Sequence, residues 1–280
     1  MSIEKGVFYV VATPIGNLED MSPRAVAVLQ QVDLILAEDT RHSARLLQHY
    51  GIPTPMRACH EHNEASLCGS IRAQLESGQS VALISDAGTP LVSDPGFRLV
   101  RALQSHEIRI STIPGPCALI AALSISGLPS DRFAFEGFLP SREAARRTRL
   151  ETLRGETRTL IFYEAPHRLL QMLVTLAGVF GGERRVCVVR EVSKLYESVH
   201  CDCLTAMLDW LQADANRCRG EIVVLVEGVT KSGQDEHDDE RLLRILLDYL
   251  PAGQAASAAA EIGGGRRNRL YKLAMAMKQE

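Results

Sequence analysis

Two short stretches of the chain collect side chains that could move a proton or orient a polar substrate. The first, YEAPHR at residues 163–168, places an acid, an imidazole and a guanidinium group directly after an apolar run. The second, REVSK at residues 190–194, brings a glutamate and a lysine to a similar position. General acid–base catalysis uses these residue types. A helix start at 163–168 and a surface salt bridge at 190–194 are the alternative interpretations.

A third stretch, HEHNE at residues 60–64, contains the residue types of a metal site. His60 and His62 would share one face of a strand, and Glu61 or Glu64 could complete a coordination shell there. A polar loop that contacts its neighbours or a substrate is the better interpretation, so we predict no metal. The seven cysteines are scattered and odd in number, and they predict neither a zinc site nor a disulfide framework.

Proline and glycine recur in three loops that follow apolar runs, at residues 14–16, 88–90 and 114–116. These residue types fix the direction of the backbone and let main-chain groups approach a ligand closely. The chain has no G-x-G-x-x-G or G-x-x-x-x-G-K-[ST] phosphate motif and no G-x-S-x-G nucleophile turn. The loops therefore favour a ligand that needs neutral contacts, such as an adenosine with a short amino-acid arm, over a triphosphate.

The elements that must position these loops alternate between strands and helices. Over residues 1–127, apolar runs such as 81–84 are followed by polar loops and then by helical spacing, four or five times. This order predicts a mostly parallel α/β sheet whose loops cluster along one edge. A turn-rich segment at 127–131 marks a boundary. We therefore predict an N-terminal α/β domain over 1–127, a second over 128–230, and an acidic linker and helical tail over 231–280.

The composition is that of a soluble globular protein, with 280 residues of which 46 % are hydrophobic and 23 % charged. No apolar run reaches the ~18–20 residues of a membrane span. The first residues lack the pattern of a signal peptide, so we expect a cytoplasmic protein. The net charge of −3 gives no general attraction for nucleic acid. Two local patches, at residues 142–149 and 266–272, are nevertheless rich in basic side chains.

The order of the motifs resembles that of the tetrapyrrole methylase superfamily. The loops TPIGNLED (13–20), AEDTRHSARLL (37–47), SDAGTPLVSDPG (85–96), IPGPCA (113–118) and RGEIVVLVEG (219–228) are similar to those that the family shares. HEHNE and YEAPHR resemble the branch that methylates the 2′-hydroxyl of a cytidine in the decoding region of bacterial small-subunit (16S) ribosomal RNA. The resemblance spans residues 5–275. It implies two α/β domains with a cofactor cleft between them, plus a small C-terminal helical module.

The resemblance implies that S-adenosyl-L-methionine is the cofactor and that the protein is a homodimer. Cys117 stands where many relatives have serine, so a hydroxyl hydrogen bond to the cofactor would be weaker or lost. In the first domain the implied cofactor contacts lie in the loops, and in the second they lie at the ends of two strands. These contacts are Pro14, Gly16, Asp86, Ala87, Gly88, Asp94, Cys117, Ala118, Phe162, Tyr163, Glu221 and Ile222.

Methylation of a ribose hydroxyl should benefit from a base by about 10²–10⁴-fold, because that hydroxyl is a poor nucleophile at neutral pH. The sequence does not choose among the candidate bases, which are Asp39, Glu61, His62, Glu164 and Lys194. The candidate RNA contacts are Arg41, His60, Asn63, Arg146, Arg147, His167 and Arg168. We expect the partner to be small-subunit ribosomal RNA within the 30S particle, with no role for DNA or a membrane.

Two other functions stay open. A sister methyltransferase could act on a tetrapyrrole precursor or a protein side chain, although HEHNE, YEAPHR and the basic tail count against it. A non-enzymatic RNA-binding module of the ribosome would not need the Gly/Pro/Asp loops, and binding of S-adenosylmethionine would distinguish it from an enzyme.

Overall fold

The computed structural model describes residues 3–229, 231–263 and 266–277, without the side chains of 231–238. The chain divides into two compact units. The first contains the chain up to Ile125 together with Arg190–Ser198, and the second contains Ser126–Val189 and the chain from Val199 onward. The sequence pattern had assigned 190–198 to the second domain, whereas its contacts group it with the first. Each unit has one five-stranded sheet with helices, which confirms the predicted α/β class.

The first unit is a parallel sheet in the order β3-β2-β4-β1-β5. From β1 the chain crosses to β2 in one direction along the sheet, and from β4 it crosses to β5 in the opposite direction. Open α/β sheets bind ligands in the crevice between two adjacent strands whose connections diverge in this way. The strands are β1 Phe8–Val11, β2 Leu34–Ala37, β3 Met56–Ala58, β4 Val81–Ile84 and β5 Ile110–Ile113, and the helices are α1 Pro23–Gln31, α2 Thr40–His49, α3 Glu64–Glu76, α4 Phe97–Ser105 and α5 Ala118–Ser126.

Local sequence explains most of these boundaries. Every residue of the central strand β4 is buried, as its unbroken apolar run predicts. Ser22 accepts a hydrogen bond from the Ala25 amide and Pro23 opens α1, as a serine followed by proline favours at a helix start. Helix α2 begins at Thr40, because the carboxylate of Asp39 accepts amide hydrogen bonds at its first turn. The short strand β3 was not predicted.

The second unit has a mixed sheet in the order β6-β7-β10-β8-β9. Strands β6 and β7 are parallel, and β7 and β10 are antiparallel. Helix α7 begins directly after residues 163–168, where a helix start was the alternative interpretation, and it buries seven residues in the core of this unit. The strands are β6 Phe133–Phe138, β7 Thr159–Glu164, β8 Arg185–Arg190, β9 Ser198–Cys203 and β10 Ile222–Val226, and the helices are α6 Glu143–Leu153, α7 Leu169–Phe180 and α8 Leu204–Gln212.

Three further helices end the chain: α9 Lys231–Leu247, α10 Ala252–Gly263 and α11 Arg267–Met277. The prediction of an acidic linker at 231–240 was wrong, because this stretch is the first part of helix α9. The helices share a small apolar core that contains Leu243, Leu270 and four alanines of α10. The predicted glycine-rich turn at 263–265 falls mostly outside the described residues.

One disulfide joins Cys187 on β8 to Cys201 on the neighbouring strand β9, with their Cα atoms 4.0 Å apart. The sequence analysis did not predict this pair, because spacing along the chain does not show which strands become neighbours. Across the part of the chain that the structure describes, no helix is both long enough and apolar enough to cross a membrane.

Candidate functional site

Three loops meet at the carboxyl edge of the first unit's sheet, as the sequence predicts. The backbone of Thr13, after β1, exchanges two hydrogen bonds with Gly88, after β4, at 2.8 and 3.1 Å. The hydroxyl of Thr89 donates to the carbonyl of Pro116, after β5, at 3.0 Å. These bonds fix the three Gly/Pro loops to one another at the crevice between β1 and β4.

Gly88 is required at the centre of this junction. Its φ of +87° is a conformation that side chains disfavour. A Cβ atom there would lie 3.3 Å from the Ile15 side chain and 3.7 Å from the Pro116 carbonyl. The glycine therefore allows the loops after β1, β4 and β5 to pack directly against each other.

A cavity of about 480 Å³ opens beside this junction, within the size range of small-molecule sites. Ile15, Gly115, Pro116 and Cys117 line it from the loops after β1 and β5. Its polar lining includes Asp20, Ser193 and Glu197, two of them from segment 190–198. The cavity thus combines neutral loop backbone with two carboxylates, which suits a ligand that carries positive charge.

Segment 190–198 is anchored to this cavity by polar contacts. The hydroxyl of Ser193 donates to the carboxylate of Asp20, and the amide of Ser193 donates to Glu197 at 2.7 Å. Two of its residues, Glu191 and Ser193, have positive φ angles of 51° and 65°. Such backbone persists only where surrounding contacts hold it, which is typical of functional segments.

Lys194, a predicted base, lies directly over Gly16, a predicted cofactor residue. A Cβ atom on Gly16 would come within 2.4 Å of the Lys194 side chain, so only glycine leaves room for the lysine. The Lys194 ammonium lies 3.3 Å from the carboxylate of Glu191. A lysine ammonium can orient oxygen atoms of a substrate as a positive charge with three hydrogen-bond donors.

Acidic side chains cluster at the ends of β2 and β4. Burial raises the pKa of Asp94 to about 6, with the charge of Asp86 adding to the shift and a hydrogen bond from Ser85 opposing it. Burial, with the charges of Asp94 and Asp86, also raises the pKa of Glu38. Asp86 accepts a hydrogen bond from the Asp39 amide at 3.1 Å, which connects the two strand ends.

Asp39, another predicted base, caps helix α2. Its carboxylate accepts hydrogen bonds from the amides of Arg41 and His42 at 2.8 and 3.4 Å. The Arg41 amide is the main cause of a lowered pKa for Asp39. Arg41 itself, a predicted RNA contact, is almost fully exposed.

The HEHNE stretch divides into exposed and structural residues. Glu61 and His62 are exposed, and the ring of His62 lies 6.0 Å from the ring of His60. Asn63, predicted to contact RNA, instead accepts from the His60 amide at 2.8 Å and donates to a backbone carbonyl. Glu64 is buried and accepts a hydrogen bond from the Leu99 amide at 2.7 Å, in the first turn of α4.

Glu64, a candidate metal ligand in the sequence, contacts Leu99 instead, and the sequence does not predict this contact because the two residues are distant in the chain. Among the described residues, no three histidine, cysteine or acidic side chains are grouped to hold a metal ion.

In the second unit, Glu164 holds the YEAPHR turn together. Its side chain is fully buried, accepts from the Ala165 amide at 2.8 Å and lies 3.1 Å from the Arg168 guanidinium. Burial raises the pKa of Glu164, although the Ala165 amide and the charge of Arg168 oppose the shift. Arg168 also donates to the Leu139 carbonyl at 2.6 Å. These contacts hold the turn together, and His167 is its exposed residue.

Arg146, a predicted RNA contact, is only 2 % exposed. Its guanidinium donates to the hydroxyl of Thr175 on α7 at 3.0 Å. Arg147, beside it, is exposed. Arg149, on the same helix, forms an ion pair with Glu136 at 2.5 Å. The basic patch at 142–149 is therefore smaller than the sequence suggested.

The predicted cofactor residues of the second unit lie at neighbouring strand ends. Ile222 on β10 pairs with Glu164 on β7, which places Tyr163 and Glu221 near the same ends. The Tyr163 ring packs edge-on against Phe135 at 4.8 Å. Phe162 is completely buried in the core of this unit.

Comparison with known proteins gives a consistent result over almost the whole chain. A family model described as Tetrapyrrole (Corrin/Porphyrin) Methylases matches residues 7–208, and one described as RsmI C-terminal HTH domain matches residues 233–278. The chain is 56 % identical to Ribosomal RNA small subunit methyltransferase I of Pseudomonas aeruginosa, covering 96 % of this chain and 97 % of that protein. The identity is 49 % to the protein of the same name from Escherichia coli O157:H7, covering 97 % and 95 %.

Solved structures share the fold at lower identity. The methyltransferase CobJ is 20 % identical with a TM-score of 0.58, covering 80 % of this chain and 94 % of that one. A uroporphyrin-III-C-methyltransferase from Thermus thermophilus is also 20 % identical, with a TM-score of 0.53 and the same coverage. Both confirm the fold predicted from the sequence.

Proposed function

Because this chain belongs to the tetrapyrrole methylase family, we propose that it transfers a methyl group from S-adenosylmethionine to small-subunit ribosomal RNA. We infer the substrate class from the names of its relatives, one of which is 56 % identical over nearly the full length of both chains. We propose the 2′-hydroxyl of a cytidine as the acceptor, on the resemblance of the HEHNE and YEAPHR motifs.

The observation that best supports this function is the cavity beside the three joined loops. Its neutral backbone side, with Gly115, Pro116 and Cys117, suits an uncharged nucleoside. The carboxylates of Asp20 and Glu197 suit the sulfonium and ammonium charges of S-adenosylmethionine. When bound, this cofactor supplies a methyl group that is already activated for transfer, so the protein needs mainly to position the acceptor.

We propose different roles for the five predicted bases. Asp39 caps helix α2, and the pKa of its carboxyl is lowered. The side chain of Glu164 is buried and pairs with Arg168. Lys194, paired with Glu191 above Gly16, is suited to orient the ribose or a phosphate as a cation. Glu61 and His62 are the exposed candidates for proton removal, and the choice between them stays a prediction.

Several finer expectations also stay predictions: the cofactor contacts in both units, the homodimer, the 30S particle as substrate and the cytoplasmic location. An alternative function in the same family is methylation of a tetrapyrrole. Because proteins that share this fold can act on different substrates, a tetrapyrrole should be assayed alongside RNA.

A methylation assay with isotopically labelled S-adenosylmethionine tests the proposal. Purified protein is incubated with 30S particles, with deproteinised small-subunit RNA and with uroporphyrinogen III, and the RNA is digested to nucleosides for mass spectrometry. We expect label in 2′-O-methylcytidine. Label on a base, or on the tetrapyrrole alone, would contradict the proposed function.

A further inference from the structure

We propose that the ring of Tyr196 stacks on an unpaired base of the RNA substrate, beside the nucleotide that receives the methyl group. Tyr196 and its neighbour Leu195 form the tip of segment 190–198, which borders the candidate cavity. This inference rests on the proposed function, because it takes RNA as the substrate. It assigns a role to two residues that belong neither to the sequence motifs nor to the lining of the cavity.

Both side chains of the tip extend into solvent. Leu195 is 88 % exposed and Tyr196 is 73 % exposed. Across the described residues, no other large apolar side chain is more exposed than Leu195. Single exposed apolar residues are common on protein surfaces, whereas two adjacent ones beside a ligand cavity indicate a contact surface.

Hydrogen bonds of the backbone hold the tip in place. The Glu197 amide donates to the Lys194 carbonyl at 3.1 Å. This bond closes a turn that has Leu195 and Tyr196 at its two central positions. A second turn precedes it, in which the Lys194 amide donates to the Glu191 carbonyl at 2.9 Å. Because the tip is already ordered, binding a base there would restrict the backbone little further.

The turn also brings the tyrosine close to the cavity. Glu197 lines the cavity and is the next residue in the chain, so its Cα atom lies about 3.8 Å from that of Tyr196. On the other side of the tip, the side chain of Lys194 lies over Gly16. An RNA strand whose ribose reaches the cavity would therefore pass an aromatic ring and a lysine.

An aromatic ring beside a lysine is suited to single-stranded RNA. Unpaired bases stack on tyrosine and other aromatic side chains, and lysine attracts the neighbouring phosphates. Stacking tolerates any base, because every base has a flat π-face. We therefore expect the ring of Tyr196 to supply affinity and to orient the strand.

A second copy of this chain is the competing occupant of the tip. A stable interface between proteins buries about 1,200–2,000 Å² in total, and its centre is poor in charged residues. The two apolar residues of the tip are instead flanked by Lys194 and Glu197. The tip therefore suits a single flat base better than the surface of another protein.

The test compares three substitutions of one side chain in the full protein. Tyr196→Phe keeps the ring, Tyr196→Leu keeps an apolar side chain without a ring, and Tyr196→Ala removes both. Tyr249→Ala is the matched control, because Tyr249 is 82 % exposed and lies outside segment 190–198. Binding of a fluorescently labelled single-stranded oligocytidine is measured by anisotropy, and melting temperatures verify that all variants are folded.

Loss of one stack between a base and an aromatic ring weakens binding by about 5- to 140-fold. Tyr196→Ala should lose oligocytidine affinity within this range, and Tyr196→Leu should also bind more weakly. Tyr196→Phe and Tyr249→Ala should match the wild type. In methylation assays with 30S particles, KM should rise in Tyr196→Ala while kcat and the affinity for S-adenosylmethionine stay unchanged.

Equal oligocytidine affinity of the wild type and Tyr196→Ala would overturn the proposal, as would an equal loss in Tyr196→Phe or no measurable binding by the wild type. A lower molar mass of Tyr196→Ala in light scattering would assign the tip to a contact between two copies, which also overturns it. If binding depends on the ring but the wild type methylates no RNA, the proposed function fails while the stacking site stands.

Discussion

Replacing Asp94 by asparagine should stabilise the free protein at neutral pH and weaken cofactor binding. The pKa of Asp94 is raised to about 6, chiefly by burial and also by the charge of Asp86. At pH 7.5 the carboxylate is therefore ionised in surroundings that disfavour its charge. Asparagine keeps the shape and can still hydrogen-bond Ser85, but it removes that charge.

The stability change has a defined sign and pH window. The ordinary pKa of this carboxyl is 3.8, so between about pH 4 and pH 6 the folded protein binds more protons than the unfolded chain. Stability is therefore lost as the pH rises through this window. A shift of about two pKa units corresponds to about 3 kcal/mol, which we reduce to about 1–2 kcal/mol because the side chain is only partly buried.

Urea unfolding of the free protein at pH 4, 5, 6 and 7.5 measures this effect. Asp94→Asn should be about 1–2 kcal/mol more stable than the wild type at pH 7.5 and equal to it near pH 4. The exposed Asp131→Asn is the matched control. Equal or lower stability of Asp94→Asn at pH 7.5 would refute the electrostatic reasoning. Unchanged S-adenosylmethionine affinity by calorimetry would refute the cofactor role of Asp94.

Three further substitutions test other contacts. Gly16→Ala should displace Lys194 and lower the methylation rate far more than the melting temperature; an unchanged rate would mean that the position of Lys194 is unimportant. Glu64→Ala should leave the buried Leu99 amide without its acceptor and lower the free energy of unfolding by about 1–3 kcal/mol in urea titrations, whereas no loss would show that the amide is satisfied otherwise. Arg146→Gln should lower the melting temperature but leave the RNA affinity unchanged in anisotropy titrations. Weaker RNA binding by the folded variant would show that Arg146 contributes to the RNA-binding surface.

The sequence predicts those parts of the fold that depend on local signals. The apolar run of β4, the Ser22 and Pro23 start of α1, and the Gly/Pro loops after the strands all occur where the sequence places them. These features depend on periodicity, capping and turn chemistry, which a few neighbouring residues specify. The clustering of the loops at one sheet edge was predictable for another reason: the alternation of strands and helices predicts a parallel sheet, in which the carboxyl ends of the strands lie at the same edge.

Contacts between residues distant in the chain were not predictable. Glu64 meets the Leu99 amide, and Arg146 meets Thr175, only because helices bring them together. A buried arginine and an exposed one look identical in a sequence, so the number of exposed basic side chains at 142–149 was overestimated. The extent of helix α7 was not predictable, because its exposed positions include the apolar Leu170 and Val174 and therefore do not form the polar stripe of a surface helix.

The most direct test of the proposed function is a comparison of ribosomal RNA from cells with and without the gene. Small-subunit RNA from both is digested and its 2′-O-methylcytidine is quantified by mass spectrometry, with a complemented strain as control. We predict that one such nucleoside per small subunit disappears on deletion and returns on complementation. An unchanged content of 2′-O-methylcytidine would contradict the account.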